Sequence, residues 1–367
     1  AITIGPTSGN GAATTASRTI TSITGGPLYT INWSGGTLPQ ARVFTSTSPI
    51  LVANLTRNVL VRSSGTTVNG DGGNSAYLRN LAQNATSFSL AYGEFAHLGA
   101  DLASKFGLTF DGAGIRGMIS SSTVRNGHVG IYLEGSSNNT LTGNNSCFNS
   151  SHGIWLNNAS NNTIGSNDSY ANAGNGIFLD NSSSNNSLAG NNSFSNSSAG
   201  VLFNSSSNNN TLTGNSSYSN SFYGLFFNSA SSNNTLTRNE FYSNDNTGIS
   251  LGGSSNNTLT GNQSRSNSSY GIVVGGSSNN NTLIGNRSFS NAGIGINIGG
   301  SSGNTFVGGG LGYDEAGVSR PNTTAEIYFS PGFTETLVLK GSRVNPALGV
   351  SAVGMDTAGS NILSYGQ

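Results

Sequence analysis

The amino-acid sequence predicts an all-β solenoid, a parallel β-helix in which each coil takes 22–24 residues. The first observation behind this prediction is the stretch from Asn138 to Asn144, whose central residue Leu141 returns at a fixed spacing. Its equivalents follow 23 or 24 residues apart and are Ile164, Leu188, Leu212, Leu236, Leu259, Leu283 and Phe306. A fixed period in the twenties is typical of repeats that bury their apolar faces only against neighbouring repeats.

The second observation is a fixed pattern within each repeat. Counting from the central apolar residue as zero, positions +13 and +15 are apolar in every coil, which is the alternation of a strand. Position +12 is always glycine: Gly153, Gly176, Gly200, Gly224, Gly248, Gly271 and Gly295. The one-residue variation in period always falls between +15 and the next zero, and loops absorb insertions more easily than packed strands. We therefore expect a turn in that polar stretch.

Composition narrows the classes of partner. Charged residues make up 8% of the chain, with 14 basic and 14 acidic side chains, so no basic face is expected for nucleic acid or an anionic membrane surface. No apolar run reaches the roughly 18 residues of a membrane span. Cys147 is the single cysteine, which excludes an intramolecular disulfide. The low charge and a start at Ala1 lead us to expect a secreted, extracellular or cell-surface protein.

The chain order predicts four segments, of which only the third is regular. In the first, Ile2, Thr3 and Ile4 form a short strand that either covers the first coil or is donated to a neighbouring subunit. The second contains one short helical stretch, Leu98 to Phe106. The segments are a strand and linker (1–17), irregular early coils (18–118), a regular β-helix (119–310) and a β-rich cap or assembly segment (311–367).

Three positions of the repeat are asparagine throughout, and we expect them to stack into structural ladders. Coils lie about 4.8 Å apart, so identical amides can hydrogen-bond from one coil to the next. Positions −2, +3 and +8 of the first three coils are Asn139, Asn144, Asn149, Asn162, Asn167, Asn172, Asn186, Asn191 and Asn196. At position +6 a row of aromatic residues is interpreted as packing rather than as a sugar-binding strip: Tyr170, Phe194, Tyr218, Tyr242 and Phe289.

These motifs resemble the repeats of NosD-like right-handed parallel β-helix proteins. The resemblance spans roughly Ile115 to Gly310 and rests on Asn-Asn-Thr-Leu-Thr-Gly-Asn followed by Gly-Ile-x-Leu about a dozen residues later. It implies the right-handed, pectin-lyase-like solenoid fold, in a broad group of surface and secreted proteins, carbohydrate-active enzymes and a periplasmic copper-associated protein. A copper site does not carry over, because Met and His are few and dispersed: Met118, Met355, His97, His128 and His152.

No catalytic, metal-binding or cofactor-binding constellation is expected. Within the repeats, Asp168 and Glu240 share a position but lie three coils apart, and Asp180 is interpreted as alone in its coil. Ahead of the repeats, a cluster of charged residues matches no motif and is interpreted as a surface loop: Glu94, His97, Asp101, Lys105 and Asp111. The sequence therefore predicts a protein that is not an enzyme.

Position −3 is an asparagine glycosylation sequon in every full coil and is expected to face outward. The seven candidates are Asn138, Asn161, Asn185, Asn209, Asn233, Asn256 and Asn280. The alternative is that a sequence rich in Asn, Ser and Thr forms sequons by chance. Covalent glycans are accordingly one expected partner of the chain.

The functional prediction is a structural extracellular protein, a self-assembling surface or filament subunit. Head-to-tail association through the ends of a solenoid naturally produces fibres, so a second copy of the chain is the expected partner. The alternative is a secreted carbohydrate-active enzyme or glycan-binding adhesin. That alternative predicts a groove with clustered carboxylates or exposed aromatic residues within residues 85–135.

Overall fold

The computed structural model describes residues 2–4, 16–25, 29–34, 52–54, 59–68, 76–84, 88–329, 336–340, 343–345, 353–354 and 361–365. Every regular element within these ranges is a β-strand. No helix among them could cross a membrane. The chain forms two compact units, one of Ala1–Val61 with Tyr92–Glu94 and one of Arg62–Ala91 with Phe95–Gln367. The predicted segment boundaries near residues 17, 118 and 310 stay predictions.

The strands follow one another in short runs. The early strands are β1 (Ile2–Ile4), β2 (Ala16–Gly25), β3 (Tyr29–Ser34), β4 (Val52–Asn54), β5 (Val59–Arg62), β6 (Leu78–Asn80), β7 (Ser89–Ala91), β8 (Gly93–Ala96), β9 (Leu108–Asp111), β10 (Met118–Ser120), β11 (Thr123–Arg125) and β12 (Ile131–Glu134). The first regular coils contain β13 (Thr140–Thr142), β14 (Asn145–Cys147), β15 (Ile154–Asn157), β16 (Thr163–Gly165), β17 (Asp168–Tyr170), β18 (Ile177–Asp180), β19 (Ser187–Ala189), β20 (Asn192–Phe194), β21 (Val201–Phe203), β22 (Thr211–Thr213), β23 (Ser216–Tyr218) and β24 (Leu225–Phe227).

The later coils continue the same triplets. They contain β25 (Thr235–Thr237), β26 (Glu240–Tyr242), β27 (Ile249–Gly252), β28 (Thr258–Thr260), β29 (Gln263–Arg265), β30 (Ile272–Gly275), β31 (Thr282–Ile284), β32 (Arg287–Phe289), β33 (Ile294–Gly299), β34 (Thr305–Val307) and β35 (Gly310–Leu311). The last strands are β36 (Ala325–Phe329), β37 (Thr336–Lys340), β38 (Arg343–Val344), β39 (Val353–Gly354) and β40 (Asn361–Tyr365).

The first unit contains an antiparallel sheet in the order β3-β2-β1-β4. Strand β1 pairs with β2 and with β4, so that Thr3 lies opposite Ser17 on one side and Ala53 on the other. Both edges of the predicted donor strand, Ile2 to Ile4, are therefore hydrogen-bonded within this chain. Donation of this strand to a neighbouring subunit stays a prediction.

The second unit is a parallel β-helix, which confirms the predicted fold class. Every third strand joins the same sheet, and one sheet runs from β7 and β10 through β13 and β16 to β40. Two further sheets contain β14, β17 and β20, and β15, β18 and β21. The pairing aligns Leu141 with Ile164 and Leu188 with Leu212, as the sequence period predicts. Apolar side chains at positions zero, +13 and +15 fill the core, and Leu141, Ile154 and Leu156 are fully buried.

Asparagine amides stack inside the three corners of each coil. The Nδ2 group of Asn144 donates to Oδ1 of Asn167 at 3.0 Å, and Asn167 donates in the same way to Asn191. The rows through Asn139, Asn162 and Asn186 and through Asn149, Asn172 and Asn196 have the same geometry, at 2.9–3.0 Å. All nine side chains are buried. The residue before each one has a left-handed backbone, with φ of 63° at Asn138, 64° at Gly143 and 55° at Phe148.

A row of buried serines explains the glycine at position +12. Ser193 donates its hydroxyl to the carbonyl of Gly200 at 2.7 Å, and Ser169 donates in the same way to Gly176. A Cβ atom placed on Gly176 would lie 1.8 Å from Oγ of Ser193. Glycine is required there by close packing against the serine of the next coil.

The helical expectation for Leu98 to Phe106 is wrong, because positive φ angles of 87° at Gly99 and 61° at Ser104 interrupt any helix. On the second sheet, the rings of Tyr170 and Phe194 stack 4.8 Å apart at 6°, and the next pair repeats this geometry. The stacked rings cover one another's faces, which agrees with a packing role.

Candidate functional site

The outer face of strands β9, β12, β15 and β18 carries the densest group of functional side chains. Alternation turns one residue inward and the next outward along each strand. The register aligns Asp111, Glu134, Asn157 and Asp180 on successive coils, a set that we call the acidic file. Beside it, the register aligns Tyr132, Trp155 and Phe178, which we call the aromatic row. Adjacent members of each set are about 4.8 Å apart along the strand-pairing direction.

The aromatic row is a packed apolar cluster in which Trp155 is the partly exposed member, because Tyr132 and Phe178 are only 2% and 9% exposed. The ring centroids of Tyr132 and Trp155 are 4.8 Å apart, and those of Trp155 and Phe178 are 5.6 Å apart at 19°. Phe106, from the preceding loop, packs edge-on against Tyr132 at 4.9 Å. Trp155 is half-buried, and among the described residues its Nε1 has no hydrogen-bond partner.

Each carboxylate of the acidic file has a defined partner. Tyr132 donates its hydroxyl to Glu134, and Asn157 Nδ2 lies 3.2 and 3.3 Å from the two carboxylate oxygens. Asp111 forms an ion pair with Arg79, and Asp180 accepts from Asn204 Nδ2 at 3.0 Å.

Burial raises the pKa of Glu134, and the Asp111 carboxylate raises it further, against a lowering by Asn157. A carboxyl group with a raised pKa keeps its proton closer to neutral pH. Such a group is suited to general acid and base chemistry.

Two histidines flank the aromatic row without adding positive charge. The Nδ1 atom of His152 accepts the backbone N–H of Asn175 at 2.9 Å, and burial lowers the pKa of His152 to about 4. Burial also lowers the pKa of His128, although Asp101 opposes that shift, with its Oδ1 3.5 Å from Nε2. Both imidazoles are therefore neutral at pH 7.

A separate groove of about 420 Å³ lies at the corner between the second and third sheets. Val68, His97 and the largely exposed Phe148 line part of it. Burial lowers the pKa of His97, and the nearby charges of Arg62 and Arg125 lower it further. No member of the acidic file lines this groove.

The charged residues singled out from the sequence are dispersed over the structure. Asp168 accepts from Asn192, and Glu240 pairs with Arg265 at 3.4 Å on another sheet. The charged residues ahead of the repeats also have different partners. Asp101 lies beside His128, Lys105 lies over the Tyr77 ring, and Asp111 pairs with Arg79.

Sequence reasoning missed the acidic file because Asp180 was considered alone in its coil. Counting position +16 backwards from Asp180 leads to Asn157 and, across the start of the regular array, to Glu134 and Asp111. The recurrence of polar residues at this position was the feature of the sequence that could have revealed the acidic file. The alternative functional prediction placed carboxylates and aromatic residues within 85–135, and the file extends this range to Asp180.

The sequon asparagines lie together along one corner of the β-helix. All seven are exposed, with φ between 55° at Asn280 and 63° at Asn138. Asn adopts this left-handed backbone more readily than most residues, so the corner geometry itself accounts for Asn at position −3. Glycosylation of these sites stays a prediction.

The residues do not fit a copper or other transition-metal site. Within the described ranges, no three His, Cys, Asp or Glu side chains come together as metal ligands. The Nδ1 lone pair of His152 is already used by Asn175, and Met118 lies apart on β10.

Family comparisons match the repeats. Residues 43–222 match the family described as "Periplasmic copper-binding protein (NosD)". Residues 184–309 match the family described as "Right handed beta helix region". These matches agree with the predicted resemblance to NosD-like right-handed parallel β-helix proteins. No curated protein matches the chain.

Solved structures with a similar fold share little sequence with this chain. A periplasmic alginate epimerase, AlgG, is 18% identical with a TM-score of 0.53, over 69% of this chain and 59% of that one. The Dettilon tailspike protein is 16% identical with a TM-score of 0.56, over 81% of this chain and 61% of that one. The A-module of the Azotobacter vinelandii mannuronan C-5 epimerase AlgE6 is 16% identical with a TM-score of 0.50, over 76% and 74%. This chain thus spans less than two thirds of the first two proteins.

These comparisons correct two functional predictions. The expectation that the chain is not an enzyme is not supported, because alginate epimerases are among the structures with this fold. The prediction of a filament subunit also finds no support in these comparisons, which favour the alternative prediction over it.

Proposed function

We propose that this right-handed parallel β-helix protein with NosD-like repeats is a carbohydrate-active protein that holds a polysaccharide along the acidic file and the aromatic row. The observation that carries the proposal is the pairing of a ring and a polar group on three successive coils: Tyr132 with Glu134, Trp155 with Asn157, and Phe178 with Asp180. A sugar ring has an apolar face and a rim of hydroxyl groups. The partly exposed ring of Trp155, beside the polar groups of the acidic file, complements both.

Within this face we assign proton transfer to Glu134. Its carboxyl group has a raised pKa and is oriented by Tyr132 and Asn157, which are features of a general acid. The alginate epimerases with a similar fold are consistent with sugar chemistry on such a scaffold. The fold likeness alone does not assign a substrate to this chain.

We further propose that the protein acts outside the cytoplasm. One matching family and one structural neighbour are described as periplasmic, and the low charge of the chain agrees with that location. Fractionation of the native source, with antibody detection, would test this. Recovery in the cytoplasmic fraction alone would contradict it.

The test of the proposed site compares two matched substitutions on the same sheet. Trp155→Ala removes the centre of the aromatic row, and Phe226→Ala removes an outward aromatic residue at the same repeat position three coils later. Affinity electrophoresis against a panel of polysaccharides measures binding. We expect Trp155→Ala to weaken binding by about tenfold or more and Phe226→Ala to change it less than about twofold. Equal effects of the two changes, or no binding to any member of the panel, would contradict the proposal.

A further inference from the structure

Resting on the proposed function of the same face, we infer that its substrate is a neutral glycan, without carboxylate or sulfate groups, and that the reaction is hydrolysis of a glycosidic bond. The structural neighbours named as alginate epimerases act on a polymer of uronic acids, so this inference separates the chain from them. It depends on the charges that the described residues bring to the acidic file.

The acidic file has an excess of negative charge. Three of its four members carry carboxyl groups, on coils that follow one another: Asp111, Glu134 and Asp180, with Asn157 between the last two. Glu134 adds its negative charge whenever it has given up its proton. Among the described residues the cation paired with the file is Arg79, and Asp111 already holds it. A polyuronate lying along the file would bring its carboxylates well within the Debye length of about 10 Å at 0.1 M salt. Like charges at that separation repel.

Neighbouring side chains do not offset the negative charge of the acidic file. His152 and His128 flank the aromatic row and are neutral at pH 7, since burial lowers the pKa of each. Lys105 lies over the ring of Tyr77, with 5.8 Å between its Nζ and the ring centroid. The charges of Arg62 and Arg125 act on His97, which lines the separate groove.

Hydroxyl groups are the chemistry that this face accommodates best. An ionised carboxylate offers about four acceptor positions. Asp180 uses one of them for Asn204, so acceptor capacity is left for sugar hydroxyls. Trp155, the partly exposed member of the aromatic row, meets the apolar face of an uncharged sugar ring without a charge requirement.

A neutral glycan also determines the reaction class. Epimerisation and elimination remove a proton beside a carboxylate-bearing carbon, and a neutral sugar lacks that activating group. Hydrolysis needs no such group. The bond between the anomeric carbon and the glycosidic oxygen breaks, the oxygen of water bonds to that carbon, and Glu134 gives its proton to the departing oxygen. The proton that water releases returns through solvent to the Glu134 carboxylate, so one water is consumed for each bond broken.

The test measures binding and products for three classes of polymer with the full chain. The neutral probes are a β-glucan and a galactomannan, the anionic probes are alginate and polygalacturonate, and the cationic probe is chitosan. Each is titrated at about 20 mM and about 0.5 M NaCl, with EDTA and separately with CaCl₂. We expect a neutral probe to bind with less than about twofold dependence on salt and to yield new reducing ends. At the lower salt concentration, polyuronates should bind at least about tenfold more weakly than the neutral probe.

Asp180→Asn provides a matched variant, because Asn occupies the same position on both neighbouring coils, as Asn157 and Asn204. Asp180→Asn should reduce the difference in binding affinity between neutral and anionic probes several-fold while leaving the fold intact. Tighter binding of a polyuronate in EDTA or in calcium, tighter binding of chitosan, or unsaturated products would overturn the neutral-glycan inference while leaving the proposed function standing. Absence of binding to all three classes would instead refute the proposed function itself.

Discussion

Asn157 donates to the carboxylate of Glu134 from the following coil, with Nδ2 3.2 Å from one oxygen and 3.3 Å from the other. The contact joins two consecutive coils on their outer face rather than in the core. Together with the Tyr132 hydroxyl it orients a carboxyl group whose pKa is raised by burial. An oriented carboxyl group of raised pKa beside the partly exposed Trp155 is the arrangement on which the proposed glycan chemistry depends.

Glu134→Gln should abolish turnover of a neutral glycan while retaining most of its binding. The amide keeps the shape of the side chain but cannot supply a proton, and loss of a general acid typically costs 10²- to 10⁴-fold in rate. In the wild type, activity should decline only as the pH rises through the raised pKa of Glu134, above the usual 4.5. Reducing-end assays across pH measure both effects. Glu240→Gln, the same change on another sheet, is the control, and equal losses from the two variants would refute the assignment.

Gly176→Ala should destabilise the β-helix by about 2–3 kcal/mol, because the added methyl group overlaps Oγ of Ser193 and lies 2.8 Å from the carbonyl of Gly200. Gly165→Ala is the matched control. Its Cβ would approach no heavy atom closer than 3.8 Å, and Ala189 already occupies the equivalent position one coil later. Urea unfolding of both variants measures the difference, and a Gly176→Ala protein as stable as the Gly165→Ala protein would contradict the packing explanation.

Asn191→Ala should cost about 2–5 kcal/mol of unfolding free energy. Asn191 accepts from the backbone and side-chain nitrogens of Asn167 and donates to Asn215 and to the carbonyl of Ile164. The truncation removes these four buried hydrogen bonds, although Asn167 Nδ2 keeps the carbonyl of Leu141 and Asn215 Oδ1 keeps the backbone N–H of residue 191. Asn192→Ala removes one partly buried bond to Asp168 and should cost less than about 1 kcal/mol. Similar midpoints for the two variants in thermal unfolding would show that the buried amide rows contribute little.

His152→Asn should reduce the unfolding free energy that the protein loses as the pH falls from 7 to 4. The folded pKa of His152 is about 4, below the ordinary 6.5, so the unfolded chain takes up a proton first as the pH falls. The contribution of the neutral imidazole is present above pH 6.5 and disappears between pH 6.5 and 4, on the order of 2–3 kcal/mol.

Asn is the matched replacement because Asn175 occupies this position in the next coil and accepts from the backbone of Ala199. Unfolding free energies at pH 7 and pH 4 give the comparison. If the wild type and the variant lost the same stability over this range, His152 would not be the titrating group.

The sequence predicts the fold well because the fold depends on residues that recur in phase. Leu141 and its equivalents give the strand register, since a slip would move the apolar file out of the core. The buried role of Ser193 could not be recognised, because serine is common throughout the repeats and only its contact with Gly200 sets it apart.

The candidate site was missed for a different reason. Its residues occur once each rather than as repeats, and Glu134 lies before the regular period begins. The loop that places Phe106 against Tyr132 contains positive-φ turns at Gly99 and Ser104. The repeat pattern of the sequence does not predict these turns, because they lie outside the regular coils.

The most direct measurement of the central claim is the fluorescence of Trp155 during titration with a neutral oligosaccharide. The chain has two tryptophans, so a Trp33→Phe protein reports Trp155 alone. If the glycan lies on the aromatic row, the emission of Trp155 shifts and the shift saturates at the same concentration as binding measured by calorimetry. Saturable binding by calorimetry with no change in Trp155 emission would place the ligand elsewhere and contradict the account.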